Sequence, residues 1–162
     1  MVSDGGERRF RIWDPSQDKW DRRFLEMAKL VASWSKDPST QTGAVIVAPD
    51  RRIVSLGYNG FPRGVSDSPN RLKDREWKYE HVVHCEMNAV LFADRHLLKG
   101  SCLYTWPFAS CVRCAVHMIQ VGIVRAVSPT LPADKAKRWG ESLNKTREVF
   151  AEAGVEFVEF RT

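Results

Sequence analysis

Apolar side chains recur at helical spacing early in the chain, where Trp20, Phe24, Met27, Val31 and Trp34 follow one another at intervals of four, three, four and three residues. That pattern is one face of a helix over residues 17–34, and Pro38 with its small polar neighbours stops it. Two β-prone runs, 44–48 and 53–58, flank Pro49-Asp50-Arg51-Arg52 and predict a hairpin. Residues 57–79 are rich in Gly, Pro, Asn and Asp, a composition that predicts a long loop of the kind that often carries function. Beyond it the pattern predicts a helix over 85–98, a strand at 102–105, a helix opening near Cys111 and closing at Gly122, and a strand at 123–127. A last helix over 135–153, stopped by Gly154, precedes a strand at 155–160.

The order α, β, β, α, β, α, β, α, β predicts an α/β fold in which an opening hairpin is followed by parallel crossovers. The expected architecture has three layers, α/β/α, around a five-stranded mixed sheet with helices on both faces. A chain of 162 residues can bury a single core, so the expectation is one domain spanning 1–162, with an N-terminal arm at 1–16 and a C-terminal helix and strand at 128–162.

Composition narrows the class of protein. With 43% apolar and 28% charged residues the chain falls in the globular range. No run approaches the roughly 20 apolar residues needed to cross a bilayer, and Met-Val-Ser-Asp-Gly-Gly-Glu-Arg-Arg lacks the apolar stretch of a secretory signal. The expectation is therefore a soluble, cytoplasmic protein with its four cysteines reduced, without membrane partners. A net charge of +5 suits anionic ligands. The bases are interleaved with acids, as in Arg71-Leu72-Lys73-Asp74-Arg75-Glu76-Trp77-Lys78-Tyr79-Glu80, so a mixed solvated surface explains them better than a nucleic-acid groove.

The chemistry concentrates in His84-Cys85-Glu86 and in Cys111-Val112-Arg113-Cys114, each near the start of a predicted helix. One imidazole and two thiolates make three zinc ligands, the number that leaves the fourth tetrahedral position open for water in a catalytic site. Cys111 and Cys114 share a helical turn whose N-terminal end favours thiolate. Glu86, two residues beyond His84, is free to act as a proton carrier rather than a ligand. Cys85 and Cys102 read as packed thiols, while His81, His96 and His117 have no visible partner.

Together these residues carry the His-x-Glu and Cys-x-x-Cys signature of zinc deaminases, and the chain resembles the deoxycytidylate deaminases of the cytidine deaminase superfamily. The resemblance extends through three blocks, Ser35 to Val47, Gly57 to Gly64 and His84 to Arg95, covering roughly residues 20–127. It implies a cytidine-deaminase-like fold, one catalytic zinc per chain, and hydrolysis of dCMP to dUMP and ammonia with Glu86 moving the protons. By position it implies that Asn59 hydrogen-bonds the sugar or orients the nucleotide, that Ala44 or its neighbours line the base pocket, and that Ser35, Lys36 and Arg95 are candidates for phosphate or effector contacts. Trp106 and Phe108, just ahead of the zinc cysteines, are placed where an aromatic wall could stack on a pyrimidine, whereas strand alternation sends Tyr104 into the core. The resemblance further implies a homo-oligomer, dimer or hexamer, with dCTP and dTTP as effectors.

Two positions depart from the family pattern. Ser110 stands where proline usually precedes the first zinc cysteine, and Cys85 stands where a small residue usually separates His from Glu. A changed loop beneath the base, and with it a changed base preference, is the expectation. Three functions therefore compete: deamination of dCMP or of another small aminated heterocycle (5-substituted dCMP, cytidine, cytosine, a triazine), editing of a base in nucleic acid, and a catalytically silent zinc-bound subunit. The Gly57–Gly60 block favours a free nucleotide, and retention of Glu86 with all three ligands argues against silence.

Overall fold

A computed structural model describes residues 15–160. Its elements run α1 (Pro15–Ala32), β1 (Gly43–Val47), β2 (Ile53–Tyr58), α2 (Pro69–Lys73), α3 (Arg75–His81), α4 (Cys85–Leu91), α5 (Arg95–Leu98), β3 (Cys102–Trp106), α6 (Val112–Gln120), β4 (Arg125–Pro129), α7 (Ala133–Ala153) and β5 (Glu156–Phe160). The five strands form one sheet in the order β2-β1-β3-β4-β5. β1 is antiparallel to both neighbours, while β3, β4 and β5 run parallel, giving the expected mixed sheet.

Alternation along the strands divides the core in two. Val45, Val47, Tyr104 and Val127 face α1, where Phe24, Leu25, Ala28 and Val31 supply the apolar stripe. Ala44, Ile46, Leu103 and Ala126 face the opposite layer, built from α4, α6 and α7 through Ala89, Ala115, Met118 and Phe150. Two strand glycines let the helices approach closely. A Cβ on Gly43 would sit 2.2 Å from the Ala28 carbonyl oxygen of α1, and one on Gly57 would sit 2.2 Å from the Cys85 carbonyl oxygen of α4. Gly57 thus sets the distance between the sheet and the helix that bears His84 and Glu86.

One buried charge lies in the α1 layer. Asp21, 1% exposed, accepts two hydrogen bonds from the Arg125 guanidinium at 2.8 and 2.7 Å and one from the Tyr104 hydroxyl at 2.8 Å. Burial is tolerable there because the carboxylate is paired bidentately and its remaining lone pairs are used.

Two expectations need correction. The segment read as a loop over 57–79 contains α2 and most of α3, because Pro69 opens one helix and Asp74 ends it while capping the next, its carboxylate accepting from the Trp77 amide. Residues rich in turn propensity are here acting as helix caps. The helix expected over 85–98 is interrupted at 92–94, where Phe92 ends α4 and Asp94 caps α5 by accepting from the His96 amide. The N-terminal arm expected at 1–16 lies outside the described residues except for its last two positions, which belong to α1. At the other end Gly154 takes a left-handed conformation, φ 72°, and closes α7 as its position predicts. No helix among the described residues is long and apolar enough to cross a membrane.

Candidate active site

Two helix N-termini meet beside the sheet. His84 is the N-cap residue of α4 and Cys111 that of α6, so the crossing of β3 between them brings together residues far apart in sequence. The His84 Nδ1 lies 3.5 Å from Cys111 Sγ and 3.4 Å from Cys114 Sγ, and the ligand atoms of all three residues fall within 4.8 Å of one another. This triangle fits zinc on its own geometry. Nitrogen and sulfur ligands at about 2.0 and 2.3 Å from a tetrahedral ion stand roughly 3.5 Å apart.

The three groups shift one another's protonation. The hydrogen bond from Cys114 lowers Cys111 well below the usual thiol range, and the same bond, with burial, pushes Cys114 up. The bond to Cys111 raises His84 to about 8. A divalent ion needs two thiolates and a neutral imidazole, so loading it releases these protons.

Glu86 lies in the first turn of α4, 5% exposed, and accepts a hydrogen bond from the Cys85 thiol at 3.2 Å. It, His84 and Cys111 open onto one cavity of about 530 Å³, with Cys114 buried behind them. A volume of that size suits a small ligand rather than a polymer threaded through.

The remaining expected residues separate. Asn59, buried, lines the cavity, but its carboxamide is engaged by the protein, accepting from the Thr42 amide at 2.8 Å and donating to the Thr40 carbonyl at 3.0 Å. Phe108 lines the cavity and stacks on Trp139 of α7 with ring centroids 5.6 Å apart. Trp106 does not line it: with Cys102 and Tyr104 it points to the α1 layer, where the Lys29 ammonium lies 5.0 Å from its ring centroid. Ala44 is fully buried in the core, and Thr42, of the same strand parity, occupies the cavity wall beyond it. Ser35 supports the wall from behind by donating to the Asn59 carbonyl at 2.8 Å. Lys36 is exposed and paired with Asp67 at 2.6 Å, and Arg95 is exposed at the start of α5, away from the cavity lining.

Other lining residues were not singled out from sequence. Lys78 of α3 is buried and paired with Asp37 at 3.0 Å, and both border the cavity. From α7 come Arg138, Trp139, Ser142 and Leu143. α7 also holds the cysteine loop: Thr146 Oγ1 donates to the Ser110 carbonyl at 3.0 Å, and the Val112 amide donates to Ser142 Oγ at 3.3 Å. Ser110, the departure noted above, is thus tied through its backbone. No local signal marks Lys78 or the α7 residues as part of the cavity wall.

Residues 18–130 match the family model described as the cytidine and deoxycytidylate deaminase zinc-binding region. The chain belongs to that family. A deaminase encoded in the luxG 3′ region of Aliivibrio fischeri is 49% identical over 138 residues, covering 85% of this chain and 91% of that protein. Mouse deoxycytidylate deaminase is 37% identical over 150 residues, covering 88% of this chain and 80% of its own length. The cyanophage S-TIM5 dCMP deaminase, solved with dCMP and dUMP, superposes with a TM-score of 0.66 over 92% of this chain and all of that one, at 18% identity. At that identity the superposition speaks for the cytidine-deaminase-like fold. This is a zinc-dependent deaminase by family, a hydrolase of nucleotide metabolism.

Proposed function

We propose that this deaminase converts dCMP to dUMP, with zinc held by His84, Cys111 and Cys114 and with Glu86 as the catalytic proton carrier. The observation that carries the reading is the convergence of the ligand triangle and a buried carboxylate on one nucleotide-sized cavity. The names of the mouse and other deoxycytidylate deaminase relatives support the substrate.

His84, Cys111 and Cys114 would hold the zinc, which would supply an acidified water that is nucleophilic near neutral pH. Glu86 takes a proton from the attacking water and gives it to ring N3, so that C4 gains an oxygen while the ring avoids carrying full negative charge. It then transfers the second water proton to the exocyclic nitrogen, the C4–N bond breaks, and ammonia leaves with a uracil ring behind. The Cys85 thiol, donating to one carboxylate oxygen, holds Glu86 so that the other is turned to the substrate. Asn59, locked by the Thr40–Thr42 backbone, forms a fixed wall against the nucleotide, and Phe108 offers a ring face to it.

The reading takes the chain as one catalytic domain that works in the cytoplasm as a homo-oligomer under dCTP and dTTP control, on the strength of the family resemblance. The test is ammonia release by zinc-loaded protein across dCMP, 5-methyl-dCMP, CMP, deoxycytidine, cytidine, cytosine, adenine and aminated triazines, with Glu86→Gln as blank. A dominant rate on dCMP is expected. A dominant rate on a free base or on a triazine would replace the nucleotide with a small heterocycle.

A further inference from the structure

The charges facing the cavity do not balance. Of its two carboxylates, Asp37 is neutralised by Lys78 at 3.0 Å and Glu86 lies beside the ligand triangle. Two guanidiniums remain, Arg113 on α6 and Arg138 on α7, and neither has a carboxylate within ion-pair distance among the described residues. Arg138 is held by aromatic rings instead. Its guanidinium carbon lies 4.7 Å from the Trp139 ring centroid and 5.6 Å from that of Tyr79, and it donates to the Tyr79 hydroxyl. Trp139 in turn stacks on Phe108, which continues the cavity wall toward Cys111.

A guanidinium clasped by rings keeps its full charge and most of its five N–H donors, in a fork that matches a phosphate bidentately. Ring stacking fixes its orientation before any ligand arrives, which reduces the entropy lost on binding. The positions first expected to meet a phosphate are used elsewhere: Ser35 on the Asn59 carbonyl, Lys36 on Asp67, and Arg95 outside the lining.

We propose that Arg138, oriented by Trp139 and Tyr79, is a specificity-determining residue that binds the phosphate of the nucleotide substrate and so separates nucleotides from nucleosides. The proposal rests on the deaminase reading for its substrate class, and it locates the discrimination on α7, outside residues 18–130.

Its test measures kcat/KM on dCMP and on deoxycytidine for the zinc-loaded wild type, Arg138→Gln, Arg138→Lys and Arg113→Gln. Calorimetric binding of dUMP and deoxyuridine to the same proteins runs in parallel. Loss of charged hydrogen bonds predicts a fall of roughly 10- to 100-fold on dCMP for Arg138→Gln, carried by KM. On deoxycytidine the fall is about twofold at most, and Arg138→Lys recovers part of the loss. The dUMP affinity should fall in step while deoxyuridine binding moves little. Equal losses on both substrates would make Arg138 a purely structural residue, and a selective loss confined to Arg113→Gln would move the phosphate to α6; either overturns the assignment. Should the wild type release no ammonia from any cytosine compound, yet bind dUMP far more tightly than deoxyuridine through Arg138, the phosphate site stands and the deaminase substrate falls. If the wild type does not distinguish dUMP from deoxyuridine, the phosphate site falls whatever the turnover.

Discussion

Replacing Gly57 by alanine tests whether the catalytic geometry depends on how closely α4 approaches the sheet. The new methyl carbon would lie 2.2 Å from the Cys85 carbonyl oxygen and 2.3 Å from the Ala89 amide nitrogen, against an ordinary contact of 3.4 Å or more. Both clashing atoms are backbone, so no side chain can swing aside, and α4 must retreat by about 1 Å or the strand must bend. Overpacking of this kind costs about 1–3 kcal/mol, and a chain of this size loses roughly 2–4 °C of Tm per kcal/mol, so a fall of about 2–12 °C is expected. Because α4 carries His84 and Glu86, a shift near 1 Å should also cost on the order of 100-fold in kcat/KM and weaken zinc retention, since ligand distances tolerate only about 0.2 Å. The comparison is Gly43→Ala, whose methyl would sit 2.2 Å from the Ala28 carbonyl oxygen of α1, a helix that contributes nothing to the cavity lining. Thermal melts should show both variants destabilised alike, while activity per zinc-loaded molecule should collapse only for Gly57→Ala. Unchanged Tm and activity for Gly57→Ala, or the same loss of activity in both, would refute the argument that this contact sets the site.

Three further outcomes follow from the same contacts. Glu86→Gln should retain zinc and the fold while losing about 10²–10⁴ in kcat, measured as ammonia release; activity within tenfold of wild type would remove the proton-carrier role. Cys114→Ala should carry little zinc after gel filtration, and its Tm should no longer respond to a chelator that lowers the Tm of the wild type; full metal content would mean the ligand set is wrong. Asp21→Asn leaves the Arg125 guanidinium buried with Glu156, at 3.1 Å, as its remaining carboxylate. A loss of about 3 kcal/mol is expected by urea unfolding, at the lower end for a broken buried pair because Glu156 persists, and a loss below about 1 kcal/mol would show the pair to be incidental.

The ligand triangle was legible because each half is a local pattern: an imidazole two residues before a carboxylate, and two thiols sharing one helical turn. The fold was legible for a related reason, since the unbroken apolar run at 44–48 and the helical spacing in 17–34 report burial directly. Strand alternation also contained the answer for Trp106. Cys102, Tyr104 and Trp106 share a parity, so a Tyr104 directed into the α1 layer carries Trp106 with it, away from the cavity. What local pattern could not reveal depends on contacts over long separations. Lys78 looked like part of a solvated charged run, yet it is buried because Asp37, 41 residues earlier, meets it at the cavity wall. The Phe108–Trp139 stack and the Thr146–Ser110 bond likewise exist only once α7 has folded back across α6.

The cavity wall is shared between the region of the ligand triangle and α7. The ligand triangle and Glu86 fall within residues 18–130, where the family match lies. α7 begins after that region, at Ala133, and still supplies Arg138, Trp139, Ser142 and Leu143 to the same cavity while fastening the Ser110–Val112 backbone from outside. The family match therefore takes in the ligand triangle and much of the wall, Asn59, Lys78 and Phe108 included, and leaves out the part that α7 contributes. Discrimination by one phosphate or one methyl group requires particular groups at particular distances. On the proposed reading Arg138 is such a group, and because α7 also holds the Ser110–Val112 backbone beside Cys111, changes made there to alter the substrate must spare Ser142 and Thr146 if the ligand triangle is to stay in place.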